Sequence, residues 1–74
     1  MVDYRDIRDF KRNCRYLGET YTVLAWAEDG KFFLSAIDIT GYPRVEEKGL
    51  PGFDSLDEVM SFGEKRAREY IDEL

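Results

Sequence analysis

Tyr21-Thr22-Val23-Leu24-Ala25-Trp26-Ala27-Glu28-Asp29-Gly30-Lys31-Phe32-Phe33-Leu34-Ser35-Ala36-Ile37-Asp38-Ile39 decides the fold of this chain. Two runs rich in β-branched and aromatic residues flank Asp29-Gly30, and that composition favours strands. A two-residue type I′ loop needs positive φ at both central residues, which Asp-Gly accepts cheaply. The stretch therefore reads as a β-hairpin. With Glu28 and Lys31 closing the turn as an opposite-charge pair, the register places Ala27 by Phe32, Ala25 by Leu34 and Val23 by Ala36 on one face. The other face then carries Trp26 by Phe33, Leu24 by Ser35 and Thr22 by Ile37. Both faces are largely apolar. A half-solvated sheet has a polar side, so this hairpin calls for cover on both.

One source of cover lies downstream. Ser55-Leu56-Asp57-Glu58 matches a capping box, in which the serine hydroxyl and the glutamate carboxylate satisfy free N–H groups at a helix start. Leu56, Val59, Met60, Gly63, Ala67, Tyr70, Ile71 and Leu74 follow as one apolar stripe. The spacing predicts a helix from Leu56 to Glu73. Gly63 and Ala67 sit mid-stripe, where small side chains let a helix settle close on a sheet. Phe62 points about 120° from the stripe centre by helical geometry, which makes it a rim residue or part of a contact.

The segment from Gly41 to Phe53 joins hairpin and helix. Its three glycines and two prolines exclude a helix. It is long for a structureless loop in so small a domain. Arg44-Val45-Glu46 is expected to run extended beside the sheet edge, with Pro43 and the charges blunting that edge against aggregation.

Residues 1–17 admit two readings. Tyr4, Ile7, Phe10, Cys14 and Leu17 recur at helical spacing, with Asp3 as N-cap and Gly18 as C-cap. Alternatively Phe10, Cys14 and Tyr16 alternate with Lys11, Asn13 and Arg15 as a strand over Phe10–Leu17, and Gly18-Glu19 is the turn into the hairpin. A helix would leave a two-stranded sheet, which is marginal without good cover.

Several of these segments together resemble a group of small, functionally uncharacterised bacterial proteins. The resemblance is carried by Gly49-Leu50-Pro51-Gly52-Phe53-Asp54-Ser55-Leu56-Asp57-Glu58 and by Ala67-Arg68-Glu69-Tyr70-Ile71-Asp72-Glu73. Asp3-Tyr4-Arg5 and Tyr16-Leu17-Gly18 extend it. In that group, a domain of unknown function, a short antiparallel sheet precedes a helix that opens with Phe-Asp-Ser/Thr and ends in Trp/Tyr-Ile/Val-Asp. The resemblance implies a strand at the N-terminus. Residues 20–74 also resemble, in overall shape, the β-β-β-α unit of HicB-type antitoxins, which would imply neutralisation of a small ribonuclease toxin. The chain lacks the C-terminal DNA-binding extension of a full HicB protein, so operator binding is not expected. Neither resemblance supplies a catalytic residue.

Composition narrows the function classes. Seventy-four residues make one small domain, 1–74, and 43% hydrophobic with 15% aromatic content suffices for a folded core. No apolar run approaches the roughly 20 residues of a membrane span, and no signal-peptide core follows Met1, so cytoplasmic residence is expected. The net charge is −5. Residues 1–15 hold five basic against three acidic residues; the rest holds six against thirteen. An acidic chain repels phosphate backbones, which disfavours nucleic-acid binding. Trp26, Phe33, Tyr21 and Phe32 could stack bases, but readers of single strands surround their aromatics with Lys and Arg, and the hairpin offers only Lys31.

Catalytic chemistry has little to work with. There is no histidine, which excludes His-based triads and imidazole metal sites. Phosphate-binding glycine loops do not occur. Cys14 reads as a plain buried thiol, since only Arg12 and Arg15 could activate it. Asp54, Asp57 and Glu58 read as the acidic first turn of a helix rather than a metal site. Asp38, near a strand end, reads as solvent-exposed. No catalytic, cofactor-binding or metal-ligating residue is therefore assigned, and no small-molecule substrate.

The expectation is an α+β module, an antiparallel sheet of three strands, or four with an edge strand, packed on one C-terminal helix. Its expected function is non-enzymatic protein–protein contact, with itself as a homodimer or with another protein. The helix covers only one face, which leaves Trp26, Phe33, Leu24 and Ile37, with Phe62, as the candidate interface. An N-terminal segment folding back through Tyr4 and Ile7 is the alternative cover.

Overall fold

In a computed structural model that describes residues 8–74, four strands form one antiparallel sheet and a single helix follows. They are β1 (Arg8–Tyr16), β2 (Glu19–Glu28), β3 (Lys31–Ile39), β4 (Val45–Glu46) and α1 (Leu56–Asp72), with the strands side by side in chain order. The architecture is α+β, and its fourth strand is the extended segment expected in the connection. Among the described residues no helix is long and apolar enough to cross a membrane.

Both tight turns are type I′ in character. Asp29 and Gly30 have φ of 54° and 78°, and Leu17 and Gly18 have 52° and 80°. The first turn sits one residue earlier than expected, because Glu19 is already paired with Tyr16. Over residues 8–16 the chain is a strand and the helical reading fails there. The three-stranded alternative wins because it lets Phe10, Cys14 and Tyr16 pack against the core. The proposed roles of Asp3, Tyr4 and Ile7 lie outside the described residues.

The hairpin register holds from Glu28–Lys31 to Ala25–Leu34 and then slips by one residue. Leu24 pairs with Ala36 and Val23 with Ile37, so Ser35 has no partner on β2: it is a β-bulge. This corrects two expectations. Ile37, expected beside Trp26 and Phe33 on the outer face, is fully buried on the helix side, and Ala36 takes its place outside. The cause is side-chain parity. Leu34 lies an odd number of positions from Ile37 and Ile39, so only an inserted residue brings all three inside.

The helix lies across β2 and β3, with less contact to β1. Val59, Met60, Ala67 and Ile71 meet Val23, Ala25, Leu34, Ile37 and Ile39 in one core. A Cβ at Gly63 would stand 2.4 Å from Val23 Cγ1 and 3.0 Å from Leu34 Cδ1, so only glycine allows this approach. At the helix start the Ser55 hydroxyl accepts the Glu58 N–H at 3.1 Å. Glu58 reaches back one residue further than expected, accepting the Asp54 N–H at 3.3 Å.

Candidate functional site

Strand alternation sorts the sheet into two faces. Phe10, Cys14, Tyr16, Tyr21, Val23, Ala25, Leu34, Ile37 and Ile39 pack on the core side. Their neighbours in sequence point away from the helix, and among the described residues no element packs over them.

The outer face is built in rows across the strands. One row runs Asp9, Trp26, Phe33; the next runs Lys11, Leu24, Ala36, Glu46; a third runs Asn13, Thr22, Asp38. Trp26 and Phe33 stack with ring centroids 4.3 Å apart and planes 19° from parallel. The loop before the helix supports this pair, since a Cβ at Gly52 would come within 3.0 Å of the Phe33 ring. Phe53 fixes that loop by exchanging two backbone hydrogen bonds with Phe32, at 2.7 and 2.9 Å. Trp26, Phe33 and Leu24 remain only half-buried, while Ala36 between them and β4 is buried, 3% exposed.

The third row is polar and internally satisfied. Thr22 Oγ1 donates to Asn13 Oδ1 at 2.7 Å, and Asp38 lies 3.5 Å from Arg44. The expectation of a wholly apolar outer face is thus too strong. The bulge withdraws Ile37, and β1 contributes Asp9, Lys11, Asn13 and Arg15. What remains apolar is a compact patch of Leu24, Trp26 and Phe33 in a polar frame.

The structure therefore gathers three of the five candidate interface residues. Ile37 belongs to the core. Phe62 lies on α1, on the opposite side of the sheet from the patch, with its ring 5.3 Å from Phe53. These two rings and Asp57, Glu58 and Ser61 line an open, shallow depression of about 490 Å³.

Three other clusters bear on chemistry. Glu47, whose side chain is 7% exposed, accepts two bonds of 3.1 Å from Arg66 and one of 2.7 Å from the Tyr70 hydroxyl. Arg66 also stacks over the Phe62 and Tyr70 rings. Every group in this clasp is used in tying the connection to α1, which leaves no free base or acid. Its local effect is visible in Tyr70, raised above its ordinary value by burial and then by the bond to Glu47.

Cys14 pairs across the strands with Tyr21, whose phenol is pushed up to about 12 by burial and by its bond with the Cys14 side chain. The acidic first turn is spent locally: Asp54 pairs with Lys31 and sits below its usual range for that reason, and Asp57 lies 3.6 Å from Arg12. Asp54, Asp57 and Glu58 thus point to different partners.

Comparison with protein-family models, with curated proteins and with solved structures finds no match. The functional reading rests on the geometry of this chain alone. Sequence reasoning missed Lys11, Ala36 and Glu46, which share a row with Leu24. The available signal was the charge at alternate positions of β1, and using it required the pairing register.

Proposed function

We propose that this protein is a non-enzymatic protein–protein interaction module that self-associates through the outer face of its sheet. The observation that carries this reading is the half-buried Leu24, Trp26 and Phe33 cluster at the centre of a face that α1 does not cover. Large aromatic side chains grouped in a polar frame are the composition of an interface centre and its rim. The sheet supplies a rigid platform, so little ordering entropy opposes association. Among the described residues, the Glu47–Arg66–Tyr70 clasp and the ion pairs of Asp54 and Asp57 are engaged in holding the fold together, which supports a binding role over catalysis.

Light scattering coupled to size exclusion tests the proposal. A mass rising from one chain towards two with concentration is expected, and Trp26→Lys should hold the protein at the mass of one chain while leaving its circular dichroism unchanged. A Trp26→Lys protein that still dimerises like the parent would contradict the assignment of this face.

A further inference from the structure

We infer that the second copy docks on this face about a two-fold axis running nearly parallel to the strands, with Lys11 of each protomer against Glu46 of the other. The inference rests on the self-association proposed above and adds its geometry. The row Lys11, Leu24, Ala36, Glu46 spans the sheet from a basic end on β1 to an acidic end on β4. Lys11 is exposed, and the Glu46 side chain is 62% exposed. Among the described residues Glu46 has a loose partner, Lys48 Nζ at 3.8 Å on a side chain 84% exposed.

A two-fold axis along the strands keeps each row at its own level and reverses its order. Lys11 then faces Glu46, Leu24 faces Ala36, and the Trp26–Phe33 row faces itself with tryptophan over phenylalanine. Opposite charges meet at the rim. A two-fold axis across the strands instead sets β1 against β1 and β4 against β4, so that Lys11 and Glu46 no longer meet. The charge order selects the first axis. It also agrees with aligned packing, in which strands of two facing sheets lie within about 30° of each other.

The available area fits a weak, reversible dimer. Three strands at about 4.8 Å spacing and eight residues at about 3.3 Å, with the two residues of β4 beside them, give roughly 400 Å² per partner, or about 800 Å² for both. That lies below the roughly 1,200 Å² at which stable interfaces begin and among weak, transient ones, where two symmetric ion pairs at the rim can set the orientation.

Charge reversal tests the geometry apart from the dimer itself. Lys11→Glu alone and Glu46→Lys alone should each weaken self-association roughly tenfold or more, because each turns two attractive contacts into two repulsive ones. The double variant should recover most of the parental affinity. Mixing the two single variants should produce a heterodimer tighter than either homodimer, since that pairing alone restores both contacts. All variants are checked by circular dichroism, and both sites are exposed.

Single variants that dimerise like the parent, or a mixture without preferential heterodimer, would overturn the axis while leaving self-association standing. A parent protein monomeric at every concentration would overturn both and leave the face to a different protein.

Discussion

Leu17 holds a φ of 52° at the first position of the β1–β2 turn while its side chain is 71% exposed. A leucine there bears the left-handed penalty without packing in return, whereas asparagine adopts that conformation readily. Leu17→Asn should therefore stabilise the fold by about 0.5–1 kcal/mol, read as a higher midpoint in thermal or urea unfolding. Gly63 is the opposite case. Alanine there gains about 1 kcal/mol of helix propensity, but its Cβ would stand 2.4 Å from the stiff, β-branched Val23. The overlap wins, and Gly63→Ala should cost about 1–3 kcal/mol net. In a Val23→Ala background the same change should cost far less, because the blocking methyl is gone. Gly63 was legible in the sequence as a small residue amid the apolar stripe. Leu17 was not, since nothing in its identity announces a left-handed turn.

The helix and the hairpin turn could be read because their signals are local: a cap, a stripe, an Asp-Gly pair. The bulge at Ser35 was harder, although the pattern contains it. Ile37-Asp38-Ile39 demands that both isoleucines share a face, and this conflicts with Leu34 unless one residue is inserted. The clasp of Glu47, Arg66 and Tyr70 was hidden for a different reason, since its members are far apart in sequence and meet only when β4 and α1 are both in place. Arg66→Ala should leave a nearly buried carboxylate without its cation and cost about 2–3 kcal/mol in chemical denaturation. Replacing Glu47 and Arg66 together by Met should recover most of that loss, because no unpaired charge then remains.

At the scale of the molecule, alkaline pH tests the core. Tyr21 is held at about 12, above its ordinary 10.0, with burial as the leading cause, and Tyr70 is raised for the same first reason. The unfolded chain loses these protons near pH 10 while the folded chain keeps them. The contribution is therefore fully present below pH 10 and disappears as the pH climbs towards 12. Urea midpoints should fall across that window, and Tyr21→Phe should flatten the decline. Midpoints independent of pH there would contradict the buried phenol.

The outer face could be read in part from the sequence. Trp26, Phe33 and Leu24 emerged from hairpin alternation alone, because the turn and the first pairs fix the register close to it. Their polar frame did not, because it depends on which residues of β1 and β4 stand beside them. Burial of this face in a dimer can be followed through Trp26, the only tryptophan in the chain. Its fluorescence emission is followed as the protein is diluted across the micromolar range. Covering by a second copy removes water from the indole, so the emission maximum should shift to longer wavelength on dilution, along one curve that also describes the fall in mass from two chains to one. An emission maximum that stays constant while the mass changes would contradict burial of this face in the dimer.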